Sequence, residues 1–256
     1  WALGNSDHKP KRAYIGGGGE LATARELLKH ASMEEVVMVD LDKIVVDVSR
    51  EQLPEWNAGS TEDPRLKLYY TDARAWLDRD DEATGTFDVI VMDIADPIEA
   101  GPGICLYTQE FYQLAKRKLN PGGVIVTQSG PGGLQTHREC FTAVNNTLKS
   151  VFEHVIPFVA EIPSFGCPWA WNLAFDATGV EGSTLSAVEA ANAATSFKEM
   201  AEEKMNERLN SRVPEEKLKF MDGSAIRGIM GLGKPIRKSL ALENRVITVD
   251  NPVFMY

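Results

Sequence analysis

Five carboxylates sit at or just beyond the ends of short apolar runs: Glu20 behind the glycines Gly16, Gly17, Gly18 and Gly19, Asp40 closing VVMVD, Asp72 in YYTDARAWL, and Asp93 and Asp96 in VMDIADP. Glycines allow positive φ and let a ligand approach the backbone, and a helix that follows them offers unpaired N–H groups. On its own such a turn fits a dinucleotide, an adenosyl ligand or plain chain reversal. Asp40 lies roughly 20 residues beyond the glycines, where an acid can bind both hydroxyls of a ribose. Asp72 or the backbone beside it can accept from an adenine amino group, and Asp72 is equally well placed to cap a helix starting at Ala73. Together these residues point to an adenosyl ligand with no required pyrophosphate, which favours adenosyl-sulfonium chemistry over a nicotinamide dinucleotide.

Asp93 and Asp96 follow a fourth apolar run, and the Asp96–Pro97 pair also suits the start of a turn. With Glu20 they form three acids directed at one pocket, with no basic partner evident in the sequence, and such a cluster calls for a cation. A polyamine fits that demand, because its amines are spaced along an apolar chain that needs aromatic or aliphatic walls.

The elements that must position these residues are legible as alternating patterns. Strand-like runs occupy 12–15, 35–40, 66–70, 87–93 and 122–128, and helical patterns fall near 20–30, 43–53, 73–78, 108–118 and 137–151. Continuously apolar strands alternating with helices predict an α/β, doubly wound Rossmann-like parallel sheet covered on both faces. The runs 154–162 and 169–176 predict an antiparallel edge pair, since PSFGCP between them fits no helix. A catalytic domain over 1–178 is expected, with a helical C-terminal extension and tail over 179–256 packed on or beside it. No role follows from the residues for the alanine-rich stretch 183–210.

Composition narrows the classes further. The 256 residues are 43% hydrophobic and 25% charged, as in an ordinary globular protein. A net charge of -10 disfavours nucleic acid and suits a cationic small molecule. No apolar run approaches the roughly 20 residues of a membrane span, and no secretory leader is evident, so no membrane role and a cytoplasmic location are expected. Cys105, Cys140 and Cys167 lack C-x-x-C spacing, and His8, His30, His137 and His154 are scattered, so neither a disulfide framework nor a metal site is expected. The chain opens without methionine and reaches its first strand within about a dozen residues, so a preceding portion is expected.

The segments GGGGELATARELLKH, VVMVDLD, DARAWL, FDVIVMDIADPIEAGPGICLYTQEFY and VTQSGPGGLQTH resemble, in order and spacing, the aminopropyltransferases, the spermidine and spermine synthase family. The resemblance covers about residues 8–176. PWAWNLAFD and the ending from LKFMDG to NPVFMY are most like the thermospermine synthase branch. It implies transfer of an aminopropyl group from decarboxylated S-adenosylmethionine, as co-substrate, to a polyamine, with no other cofactor. Asp93 matches the family's catalytic acid. Gly17, Gly18, Gly19 and Glu20 match the donor loop, Glu20 holding the donor's ammonium, while Asp40 carries over to the ribose and Asp72 with Ala73 to the adenine. Asp96, Gln128 and Tyr107 carry over to the amine-acceptor channel, Tyr107 as a wall. Phe165 stands where spermidine synthases generally have Tyr, and with Trp169 and Trp171 nearby this implies a more apolar acceptor pocket that fits spermidine better than putrescine. Leu21 replaces a glycine usual in the family. A methyltransferase and a silent polyamine-binding fragment are the competing readings. Which amine of spermidine reacts stays open, as does assembly into a homo-oligomer.

Overall fold

The protein is described by a computed structural model over residues 9–81, 84–99, 101–176 and 201–255. His8 and residues 183–200 of the alanine-rich stretch lie outside the described residues. Apolar and β-branched side chains make β1 (Arg12–Gly17), β2 (Glu35–Asp40) and β4 (Phe87–Asp93) almost continuously buried. With β3 (Leu66–Tyr70), β5 (Leu119–Pro131), β6 (His154–Ile162) and β7 (Cys167–Phe175) they form one 7-stranded sheet in the order β3-β2-β1-β4-β5-β7-β6. Neighbours from β3 to β5 are parallel, and β7 pairs antiparallel with both β5 and β6. The predicted edge pair is therefore present, with β7 inserted between β5 and the outermost strand. Pro157 sits in that outer strand, where a missing donor costs little.

Successive strand residues serve opposite faces. Tyr14, Val37, Val39, Ile90 and Met92 enter one core, and Ala13, Ile15, Val36, Met38 and Val89 enter the other. Helices α1 (Ala22–Leu28), α2 (Lys43–Gln52), α3 (Pro54–Asn57), α4 (Ala73–Leu77), α5 (Gln109–Arg117) and α6 (Phe141–Lys149) connect the strands. Asp42, Asp72 and Thr108 cap α2, α4 and α5 by accepting from backbone N–H groups in the first turn. Helix α3, missed by the pattern, begins on Pro54, whose fixed φ suits a first helical position. Helix α6 starts four residues later than expected, at Phe141, because residues 133–139 form turns, with His137 N–H donating to Gly133 O at 3.0 Å.

Beyond residue 200, α7 (Glu202–Asn210), α8 (Gly223–Met230) and α9 (Lys234–Leu242) pack onto the sheet assembly. Met205 and Ile226 join the core that holds Ala13 and Ile15, while Ile236 and Leu240 cluster with Phe141 and Ala170. After α9 the chain is tied down by Arg245, which donates to Glu243 and to the carbonyls of Arg138 and Glu139. Ile247 is fully buried in the core shared with Tyr14 and Ile125.

Leu21 is one of two non-glycine residues with positive φ among the described residues, the other being Ala58. It precedes α1 in the left-handed region at φ 71, yet its side chain is 0% exposed. A non-glycine residue there costs roughly 1–2 kcal/mol, while a buried leucine contributes roughly 2–5 kcal/mol against truncation. Packing wins, which explains how a leucine holds a conformation usually left to glycine. Leu21→Ala, which keeps the strain and loses the packing, is expected to destabilise more than Leu21→Gly, which relieves the strain, by about 1 kcal/mol in urea unfolding. Equal losses would remove the strain from the account.

Candidate active site

The sheet register lines up the chemistry. Gly17 pairs with Asp93 across β1 and β4, and one step beyond the paired Gly16 and Val39 it lies beside Asp40. One step beyond the Met92–Thr127 pair, Asp93 lies beside Gln128, which itself pairs with Trp171. Asp40, Gly17, Asp93 and Gln128 thus form one row at the carboxyl ends of the strands, at the point where the strand order reverses direction. In open α/β sheets ligands bind there. With strands about 4.8 Å apart, Asp40 and Asp93 are set roughly 10 Å apart, with a residue lacking a side chain between them. Both fall on the strand face that α1 covers, by the parity of Val36 and Met38 and of Val89 and Val91.

Glycine is required in this turn. Gly17 (φ 82) donates its place to a close approach: a Cβ there would lie 2.1 Å from Asp93 O. Gly18 (φ 76) has its N–H on Asp93 O at 2.9 Å, and a Cβ on Gly19 would lie 2.9 Å from Asp40 Oδ2. The loop therefore lies against the Asp93 main chain and the Asp40 carboxylate. Glu20 follows directly. Burial raises its carboxyl above the usual range, and the charges of Asp93 and Asp40 push the same way. Burial also raises Asp93, opposed by the Thr23 hydroxyl, which donates to Asp93 Oδ2 at 2.6 Å, and reinforced by Asp40. None of the ion pairs among the described residues involves Glu20, Asp40, Asp93 or Asp96. Desolvated acids coupled to one another and left without a basic partner form a site for a cation.

On the far side of Asp93, Gln128 is the hub. Its Oε1 accepts from Gly130 N–H at 2.9 Å and from Trp169 Nε1–H at 3.0 Å. Both are donors only, so the amide cannot be flipped, and its nitrogen must face Asp96. Gln128 Nε2 donates to Asp96 Oδ1 at 3.0 Å and to Ile94 O at 2.9 Å, and also contacts the Tyr107 hydroxyl, which donates to Ala95 O at 3.0 Å. Burial raises Asp96, opposed by Gln128. Phe165, 54% exposed, leans on Trp169 with ring centres 4.5 Å apart, and Trp171 stacks on Phe158. Asp96, Gln128, Trp169 and Phe165 are therefore contiguous, a polar pair backed by an aromatic lip.

A profile described as "Spermine/spermidine synthase domain" matches residues 2–178. The chain belongs to that family. Its relatives include Thermospermine synthase ACAULIS5 of Arabidopsis thaliana, 38% identical over 248 residues, covering 96% of this chain and 66% of the relative. The polyamine aminopropyltransferase of Aeropyrum pernix is 36% identical over 251 residues, covering 96% of this chain and 72% of the relative. The fold matches a spermidine synthase solved in complex with the transition state analogue AdoDATO, with TM-score 0.72 and 23% identity over 91% of this chain and 70% of that one. Spermidine synthase from Thermotoga maritima gives TM-score 0.71 at 21% identity over 93% of this chain and 71% of that one. The chain spans about two thirds of the length of the Arabidopsis relative.

Within this family frame most residues singled out from the sequence converge, and three differ in manner. Asp72 is engaged as the α4 cap, its Oδ1 accepting from Ala75 N–H at 2.6 Å, and Ala73 O is taken by the Tyr14 hydroxyl at 2.7 Å. Tyr107 is 0% exposed, so it stands beneath Gln128 as a support. Thr23 and Tyr14 were missed. Thr23 carried a signal, since it lies in the first helical turn after the glycines and faces the strand end, whereas Tyr14 reads as core until its hydroxyl is seen to meet Ala73.

The folded-state carboxyls of Asp93 and Glu20 lie above their unfolded values, so stability falls as pH rises from the ordinary carboxylate range through the folded values, and stays reduced above them. Asp93→Asn keeps an oxygen for Thr23 and removes the charge. Its urea midpoint at pH 8 is expected above that of the wild type, with the gap closing toward pH 4. A lower midpoint at pH 8 would show the charge to be compensated.

Proposed function

We propose that this chain carries the active site of an aminopropyltransferase that moves the aminopropyl group of decarboxylated S-adenosylmethionine to spermidine, giving thermospermine and methylthioadenosine. The observation that carries the reading is the row Asp40, Gly17, Asp93 and Gln128 joined by Glu20, an acidic site with no ion pair among the described residues. Intact S-adenosylmethionine would bring a carboxylate against these acids. The decarboxylated donor brings only an ammonium and a sulfonium, so charge favours it.

In this reading Asp40 holds the ribose hydroxyls and Glu20 the donor's ammonium, with the adenine near Asp72 and Ala73. Asp96 and Gln128 orient the acceptor amines, while Trp169 and Phe165 wall its methylenes. An amine with a pKa near 10 is protonated at neutral pH, so a proton must leave before attack. Asp93 accepts that proton. The freed nitrogen lone pair then forms a bond to the carbon attached to the sulfonium, the C–S bond breaks, and its electron pair neutralises sulfur as a thioether. Burial raises Asp93 in the free enzyme, and the bound cations hold it in the carboxylate form that accepts the proton. Thermospermine as product is supported by the Arabidopsis relative and by the apolar lip of Phe165 and Trp169.

Chromatography of a reaction with decarboxylated donor and spermidine tests this: thermospermine is expected, spermine would correct which amine reacts, and methylation with the intact donor would overturn the reading. Asp93→Asn should reduce kcat by about 10²–10⁴.

The active form is the carboxylate, so activity is lost as pH falls. In the free enzyme the acid limb of kcat/KM should lie above the ordinary carboxylate range, because Asp93 and Glu20 are raised. A bound cation favours the charged carboxylates and lowers those values, so the acid limb of kcat should lie at lower pH. Coincident limbs would mean that the bound cation does not meet these acids.

A further inference from the structure

Residues 252–255 end their path against the acceptor side of the site. Met255 N–H donates to Pro97 O at 2.9 Å, and Pro97 directly follows Asp96. The Met255 side chain is 4% exposed, and its sulfur lies 3.4 Å from the point where a Cβ on Gly130 would stand. Gly130 in turn donates its N–H to Gln128 Oε1. One residue thus touches both segments that carry the Asp96–Gln128 pair, by its backbone on the Asp96 side and by its side chain on the Gln128 side.

The approach to this contact is held along its length. Ile247 N–H donates to Thr147 Oγ1 at 2.8 Å, and Gln109 N–H donates to Ile247 O at 2.8 Å. Thr248 and Asn251 exchange backbone hydrogen bonds of 3.2 Å in a turn, and Val253 packs against the core that holds Tyr107. The segment around Asp96 has little regular structure of its own. Its described backbone bonds include Ile98 N–H to Asp96 O and Gly101 N–H to Ile98 O, both 2.9 Å and local. Gln128 Nε2 on Ile94 O and the Tyr107 hydroxyl on Ala95 O tie its first half to the sheet side, and Met255 N–H adds a bond from far along the chain at Pro97, beyond Asp96.

We propose that Met255 is a positioning residue for the amine acceptor, seating the segment around Asp96 against Gly130 so that Asp96 and Gln128 keep their mutual geometry. The inference rests on the acceptor reading given above. Nothing in this contact reaches Glu20 or Asp40, so the effect should fall on one substrate.

Met255→Ala and Met255→Leu in the full chain test it, with steady-state kinetics for spermidine and for the decarboxylated donor, amide hydrogen exchange over residues 94–99, and the unfolding midpoint. Met255→Ala is expected to raise KM for spermidine about tenfold and to leave KM for the donor within about twofold, the scale of a small misplacement of a binding group. Exchange over 94–99 should speed up, and Met255→Leu, which preserves the volume, should restore both readouts. Equal rises in both KM values, exchange rising throughout the chain together with a lower midpoint, or unchanged exchange over 94–99 would each overturn the proposal. A wild-type chain that transfers no aminopropyl group would instead refute the functional reading, and the exchange comparison would still decide the seating by Met255.

Discussion

Partly buried carboxylates with no ion-pair partner among the described residues are the constraint on which this structure turns. Asp40 and Asp93 flank one glycine in a single row of the sheet, with Glu20 beside them, and burial raises both Glu20 and Asp93. The rest of the molecule tolerates that cost. Two cores on opposite faces of the sheet supply the packing, and the glycine turn crosses close to the Asp93 carbonyl and the Asp40 carboxylate only because no Cβ is present at Gly17 and Gly19. Acids grouped in this way weaken the fold until a cation offsets their charge, so a bound cation would stabilise the protein.

The same sheet end separates two tasks. On the β2 and β1 side the residues present charge, while on the β5 and β7 side they present geometry. Gln128 has its amide orientation dictated by Gly130 and Trp169, and that orientation aims its nitrogen at Asp96. Trp169 therefore acts through its indole N–H as well as through its ring, which a reading of aromatic walls alone would overlook. Met255 adds a contact from far along the chain, so the surroundings of the Asp96–Gln128 pair are built from residues far apart in sequence.

Much of the architecture was legible because the patterns are local. Val-rich and Ile-rich runs gave the strands, and Asp42, Asp72 and Thr108 stand where helices begin. The misses have physical causes. Helix α1 begins after Leu21, which takes a conformation usually left to glycine because burying its side chain outweighs the strain. Strand β5 runs on to Pro131 because β7 pairs with it across an irregular register between Gln128 and Pro131, an interaction absent from the local pattern.

By itself the amino-acid sequence determined the alternation of strands and helices, the glycine turn with its acids at strand ends, and, through ordered motifs, the family. These are properties of neighbouring residues and of spacing along the chain. Only the tertiary structure decided that Asp40 and Asp93 share a row, that Tyr107 lies beneath Gln128 instead of lining open space, that Thr23 reaches Asp93, and that Met255 meets Pro97 and Gly130. Each of these depends on strand register or on contacts between residues distant in sequence, and such contacts are selected by packing and burial of the whole chain.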